Sequence, residues 1–311
     1  GHSGKEKVAN KKSARVVDLW PKQPDYKLKR EIHFSGLERL VFRQPQLTKR
    51  DILDYYNNIA NYLLPYLKDR PQVIFLQRDG QQGSANMNLD ALAKNSKEDV
   101  PEWIRTASAG KGQEELLLCN DREHLLFYVQ AGCVEFNACH ARLSAKASGK
   151  AGVRSLDSPD YIVLAVESAE YELAKAIDVA GVVKEILEGL QLPSLVKTDG
   201  SSALHIYIPL DSRSEFDASE AVAEYVCKLV RLKIPDLVTL KGSQEHGYKK
   251  VSLHYQTNGR GQAAIAPYSL VAGQSASVAT ALLWEEVTDG LKAEAFNHET
   301  IFKRLKDKGD P

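Results

Sequence analysis

The chain has 311 residues, 43% of them apolar, with 41 basic and 41 acidic side chains. That length suits one large domain or two small ones, with enough apolar material for a real core. Zero net charge argues against nucleic-acid binding by the whole surface while leaving room for a local basic groove. No run of 18 apolar residues excludes a membrane-spanning helix, and no secretory leader is present.

Gly1-His2-Ser3-Gly4 reads as a tag scar, and residues 1–24 as a lysine-rich tail or linker of a fragment from a longer protein. The folded part is expected over 25–311. Thr48 and Asp51 form a helix start, followed by Ile52, Tyr55, Tyr56, Ile59 and Leu63 on one helical face. Pro71 precedes a buried strand, Val73–Leu76, and the Gly-, Gln- and Asn-rich run 79–99 reads as a loop. A short strand at Leu116–Cys119, a helix from Arg122 ending at Gly132, and a strand over Cys133–Cys139 follow. After a small-residue loop at 141–158 comes an apolar strand, Tyr161–Val166, and a helix over Tyr171–Leu190. Leu204–Leu210 is a strand, and Glu215–Leu232 an amphipathic helix with Ala218, Val222, Tyr225, Val226 and Leu229 as its apolar face. Lys250–Tyr255 and Ala263–Tyr268 are further strands, which gives two strand–helix–strand units and an α+β class.

The four cysteines, Cys119, Cys133, Cys139 and Cys227, contain no CxxC pair, against a structural zinc site. Cys133-x5-Cys139-His140 is a weaker candidate for a metal; reduced thiols in a cytosolic fold are the default.

Several blocks recur in one family. Asn258-Gly259-Arg260-Gly261 followed by Ala266-Pro267-Tyr268-Ser269 matches an NGRG…APYS motif. Thr48-Lys49-Arg50-Asp51 with Tyr55-Tyr56, Leu64–Pro71, Pro101–Thr106, Gln130–Phe136, Thr280–Val287 and the terminal Gly309-Asp310-Pro311 match further blocks in order. The chain thus resembles the polymerase domain of bacterial ATP-dependent DNA ligase D, of the archaeo-eukaryotic primase superfamily. The resemblance implies an N-terminal α/β lobe, here 25–115, and a primase-type core with mixed central β-sheets, here 116–311. It also implies template-directed nucleotide addition in non-homologous end joining by a cytoplasmic, nucleoid-associated repair protein. The implied partners are DNA ends, a ligase domain of the same parent and an end-joining protein.

In that family three carboxylates hold two divalent metals. Such paired cations, roughly 3.5–4 Å apart, stabilise the attacking and leaving oxygens of phosphoryl transfer, and hard Mg²⁺ or Mn²⁺ requires oxygen ligands. Residue by residue, Ala165 and Glu167 stand at the first two positions and His254 at the third. The nucleotide-binding block becomes Thr198-Asp199-Gly200-Ser201-Ser202-Ala203-Leu204-His205, with Ser202 in place of a lysine; Asn137 replaces a histidine and Gln77 falls in a lost basic run. Thr198, Gly200, Ser202, His205 and Arg260 are therefore the implied nucleotide contacts. Backbone N–H groups near Gly200 could cradle an anion, but Asp199 would repel a triphosphate. Two readings stay open for Arg260, phosphate ligand or structural arginine. Glu167 with His254 is a candidate metal pair against a solvated glutamate beside a hydrogen-bonded histidine.

Lys49, Arg50, Lys68 and Arg70 are the candidate DNA-backbone contacts, against ordinary helix-surface charge. Tyr55, Tyr56 and Tyr62 are candidate stacking platforms against core residues, and Trp103 and Trp284 read as packing. The leading expectation is a catalytically impaired pseudo-polymerase, needing no metal, that binds a DNA end, a nucleotide or a partner. One alternative is an active nucleotidyltransferase with one Mn²⁺ held by Glu167 and Asp199, Glu170 or Asp160. The other is a scaffold that binds no nucleic acid.

Overall fold

The computed structural model describes residues 27–78, 81–82, 87–96, 99–108, 114–143, 156–168, 173–211, 214–240, 250–273 and 275–311. The expected tail at 1–24, Glu170, Asp79 and Gly80 lie outside them.

A small hairpin, β1 (Leu40–Phe42) with β2 (Leu47–Thr48), leads into α1 (Lys49–Leu67). The helix starts there because Thr48 and Asp51 cap each other: the Asp51 N–H donates to Thr48 Oγ1 and the Thr48 N–H to Asp51 Oδ2. Strands β3 (Pro71–Arg78) and β4 (Gln81–Gln82), helix α2 (Leu89–Ser96), and strands β5 (Thr106–Ser108) and β6 (Glu115–Leu118) follow. Helix α2 replaces part of the loop expected over 79–99. Asn88 caps it by accepting from the Ala91 N–H at 2.8 Å, and Leu92 is buried. Polar composition hid a helix of about two turns anchored by one buried apolar residue. Helix α3 (Arg122–Gln130) ends at Gly132, whose φ of +100° suits glycine, and β7 (Cys133–Cys139) follows.

The second half runs β8 (Tyr161–Ser168), α4 (Leu173–Gly189), β9 (Leu195–Thr198), β10 (Ala203–Pro209), α5 (Phe216–Lys233), β11 (Val238–Leu240), β12 (Val251–His254), β13 (Ala263–Ile265), β14 (Thr280–Leu282) and α6 (Thr300–Lys308). The chain builds two sheets. One has the order β13-β7-β3-β6-β5 with β4 on β3; the other has the order β11-β12-β8-β10-β9-β14, parallel only at β11–β12. The expected strand–helix–strand units, β8–α4–β10 and β10–α5–β12, gain two strands the periodicity did not show: β9, which pairs with β10, and β11, which pairs with β12. The division at 115/116 falls inside β6, so the two sheets organise the cores. The first core gathers α1, α3, β7 and the last helix; the second packs α4 and α5 against Ile162, Leu164, Val166, Leu204 and Ile206.

The apolar face expected on α5 is displaced. Phe216, Ser219, Ala223, Val226, Cys227 and Val230 are buried, whereas Val222 and Tyr225 are exposed. The helix carries apolar residues on two stripes, and the sheet takes the one that includes Ala223 and Cys227.

Candidate functional site

Strand pairing places one line of side chains across the second sheet. His254 on β12 pairs with Ala165 on β8, Ala165 with His205 on β10, His205 with Lys197 on β9, and Lys197 with Ala281 on β14. Directly paired residues share a face, so all five project the same way, at about 4.8 Å per strand. Glu167, two residues along β8, shares that face, and its Oε2 lies 3.2 Å from His254 Nε2. Sequence alternation thus brings Ala165, Glu167, His205 and His254 together as expected.

Two members of the line, Ala165 and His205, face a cleft of about 250 Å³ lined also by Asp199 and, from the opposite sheet, Glu135 and Asn137. Glu135 accepts from Asn137 Nδ2 at 3.0 Å and from the Ala272 N–H at 2.8 Å. Burial pushes its carboxyl up, against those hydrogen bonds. Lys197 is the residue the sequence reading missed. It is buried, its Nζ lies 3.0 Å from His205 Nδ1, and burial lowers its pKa to about 7 against the pull of Asp199 and Glu135. Burial first, then Lys197, His140 and His254, hold His205 far below the usual histidine range. A hairpin closed at Asp199–Ser202 puts position 197 opposite 205, and that register was the available signal.

Could this line hold the two metals the fold family implies? One carboxylate, Glu167, projects where three would be needed, and Ala165 offers no donor. Among the described residues, no group of three His, Cys, Asp or Glu side chains is placed to hold a metal ion. Of the helpers proposed for Glu167, Glu170 lies outside the described residues and the other two are engaged elsewhere. Asp160 sits at the far end of β8, about 23 Å away by strand rise, bonded to Arg70 at 2.5 Å. Asp199 caps its own turn. The residues present do not fit a two-metal centre. Cys133 and Cys139 fare no better as ligands, since they lie six residue steps apart along one strand, about 20 Å, and all four cysteines are buried thiols.

The turn after β9 is closed to an outside anion. Asp199 Oδ1 accepts from the Ser201 and Ala203 N–H groups at 2.8 and 3.1 Å, and Thr198 Oγ1 accepts from the Gly200 N–H at 3.0 Å. The protein's own carboxylate occupies the cradle the sequence suggested. Ser202 is buried, and Gly200 (φ +86°) is so closely covered that an added Cβ would lie 2.4 Å from Val271 Cγ2. Thr198, Gly200 and Ser202 therefore stabilise a turn.

The other expected contacts divide. Arg260 donates to Asp157 Oδ1 at 3.0 Å and lies over the Phe216 ring, which is the structural alternative. Arg70 is buried: it donates to the Cys139 and His140 carbonyls, pairs with Asp160 and covers the Tyr161 ring. It ties the two sheets together and is not a DNA contact. Lys49 and Arg50 begin α1 while Lys68 and Arg70 lie beyond its end, about 28 Å away for 19 residues. The four cations are not one patch. Arg50 pairs with Glu38, and Lys68 is exposed. Lys49 donates to the Gln130 carbonyl and, with Arg39 and Lys94, lines a polar pocket of about 450 Å³. Tyr55 and Tyr56 are core: Tyr55 Oη donates to the Tyr268 carbonyl, Tyr56 Oη to that of Val134. Tyr62 is partly exposed and packs on Tyr268. Trp103 packs on His124 and Phe127, and Trp284 Nε1 donates to the Ser194 carbonyl. Gln77 exchanges two hydrogen bonds with the Gly273 backbone.

A two-sheet α+β core with this line of strand positions is a primase-type polymerase architecture. The family model described as the LigD primase-polymerase domain matches residues 48–311, and the chain belongs to that family. It is 23% identical over 282 residues, 90% of the chain, to the bifunctional non-homologous end joining protein LigD of Bacillus subtilis, covering 43% of that protein. It is also 23% identical over 278 residues, 89% of the chain, to the multifunctional LigD of Pseudomonas aeruginosa, covering 31%. The chain thus spans less than half the length of these relatives. Its fold superposes on the polymerase domain of Mycobacterium tuberculosis ligase D in complex with DNA with a TM-score of 0.78, at 21% identity over 91% of this chain and 96% of that one. No helix among the described residues is long and apolar enough to cross a membrane.

Proposed function

We propose that this domain serves an end-joining repair protein by holding a DNA end, with template-directed nucleotide addition lost. The observation that carries the proposal is the His254–Ala165–His205 line: Glu167 is the single carboxylate left at the three metal positions, and it faces a histidine. Losing two of three carboxylates removes the charge that holds paired cations, worth several orders of magnitude in phosphoryl-transfer rate. The closed turn at Asp199 supports weak nucleotide affinity as well.

DNA holding is supported by the pocket of Arg39, Lys49 and Lys94, a local cationic site on a chain of zero net charge. It also favours this reading over a scaffold that avoids nucleic acid. The relatives' names and the DNA in the superposed complex point the same way. A ligase domain of the same parent, an end-joining protein partner and a cytoplasmic, nucleoid-associated setting belong to this proposal. The test is a titration of 5′-phosphorylated gapped duplex. Saturable binding that weakens for Lys49→Ala supports the reading; no binding at low salt would sink it.

A further inference from the structure

The space between the two sheets holds a second cavity. Lys197 and His205 are hydrogen-bonded neighbours on β9 and β10. His205 lines the cleft described above, whereas Lys197 lines a separate cavity of about 270 Å³. Tyr161, Leu195, Tyr207 and Pro209 of the second sheet face Ala138 and Ala264 of the first across it. Tyr66 and Pro267 complete an apolar wall rich in flat rings. Close-packed interiors leave few voids larger than a water molecule, and this one is many times that size. Its mouth is marked by Leu195, which is 50% exposed, and by the exposed Arg142. A concave, ring-lined pocket with a few polar groups is the usual form of a small-molecule site, commonly of about 300–1,000 Å³. The occupant of this one is therefore compact.

The charges on the wall choose the occupant's chemistry. Arg70, Arg142 and Lys197 are its basic side chains and Asp160 its one acidic side chain. Asp160 is committed to Arg70 at 2.5 Å. Arg142 donates to the Pro65 carbonyl, and Lys197 bonds to a histidine that burial holds neutral. Among the described residues neither Arg142 nor Lys197 has a carboxylate bonded to it, and Asp199 and Glu135 act on Lys197 from outside the cavity wall. Burying an amine without an anion beside it is costly. A ligand carboxylate supplies that anion, and ring surface behind it matches the wall.

We propose that this cavity binds a small aromatic carboxylate: its rings lie among Tyr66, Tyr161, Tyr207 and Pro209, its carboxylate pairs with Lys197, and Arg142 draws it in at the mouth. The proposal rests neither on DNA holding nor on the altered metal positions.

The test is calorimetric titration of the full chain with 2-naphthoate at pH 8, in HEPES and in Tris, whose protonation heats differ. A dissociation constant on the order of 100 µM is expected for a ligand of that size. Lys197 is mostly neutral at pH 8, so pairing with the carboxylate should take up about one proton per ligand. Of the other groups around it, burial keeps His205 neutral and raises Tyr66, Tyr161 and Tyr207, and Arg70 is paired with Asp160. Lys197→Met, which keeps the wall apolar, should abolish the proton uptake and weaken binding at least about tenfold. Leu195→Asp sets a negative charge at the mouth and should weaken binding several-fold with an unchanged melting curve, because Leu195 is half exposed. Neutral 2-naphthamide should bind at least about tenfold more weakly than the carboxylate. Absence of 2-naphthoate binding at millimolar concentration, equal binding of the amide, or a Lys197→Met protein that binds as well and takes up the same proton would each overturn the proposal.

Discussion

The stretch from Asn258 to Ser269 and the line from His254 to Lys197 lie side by side, yet they depart from the family pattern to opposite degrees. In the first, side chains bond to backbone. The Asn258 amide accepts from the Val163 N–H at 2.7 Å and donates to the Val163 carbonyl at 2.8 Å, so it pairs with β8 as a strand would. Ser269 Oγ accepts from the Phe136 N–H on β7 at 2.9 Å. Losing such a side chain leaves buried backbone groups unpaired, at about 1–3 kcal/mol each. In the second region, positions 165, 167 and 254 share one face of the sheet, where exchanging a carboxylate for alanine or histidine leaves the strand-to-strand hydrogen bonds unchanged. On the proposed reading, the family motif is kept where it is architecture and altered where it would be chemistry.

The sharpest way to break that contrast is to refit the line. Ala165→Asp with His254→Asp should leave the fold intact and raise Mn²⁺ affinity at least about 100-fold, because two new carboxylates then share the face with Glu167; calorimetric titration reads it. Unchanged affinity would mean that the backbone, and not only the side chains, has lost the site.

Architecture should answer with stability. Arg70→Ala removes a buried cation that joins β7 to β8 and leaves Asp160 unpaired, so urea unfolding should show a loss of about 3–5 kcal/mol. Asn258→Ala should cost about 2–4 kcal/mol by the same measurement.

Titration acts with one sign throughout but over different pH windows. Neither ring nitrogen of His140 has a hydrogen-bond partner among the described residues, and burial and then Arg70 lower its pKa from 6.5 to about 3. The unfolded chain therefore takes up the proton first, and stability present above pH 6.5 falls as pH drops toward 3. His205 shifts the same way. His140→Phe should flatten that acid limb in pH-dependent melting. Lys197 acts at the other end of the scale. Its pKa is 10.5 unfolded and about 7 folded, so its charge in the unfolded chain favours unfolding below pH 10.5, with the full effect below about pH 7. Lys197→Met should stabilise at neutral pH, with the gain shrinking toward pH 10.5.

The smallest effect belongs to the basic pocket. Lys49→Ala should weaken duplex binding several-fold at moderate salt and lower the salt slope by about one, with stability nearly unchanged. Equal weakening by Lys68→Ala would mean that the pocket is not the contact.

Much of this was legible beforehand. The Thr48–Asp51 cap, the Gly132 stop and the alternation of Ala165 with Glu167 are local signals, and those elements appear where they were expected, whereas α2 and the short strands β9, β11 and β14 carry too few residues to show a period. Arg70 was misread because a basic residue in a dense basic run looks like surface; only the approach of β7 and β8 buries it. The α5 face was misread because two apolar stripes share one helix, and sequence cannot say which one the sheet covers. Lys197 went unnoticed because its environment is made by the opposite sheet, through Glu135, and by a hairpin register across strands.

The most direct test of the central claim is Mn²⁺-dependent extension of a primer on a 5′-phosphorylated gapped duplex, with binding measured on the same sample. The account predicts a retained complex and no added nucleotide. Extension that disappears with Glu167→Ala would contradict it and show that the altered line still assembles a working metal site.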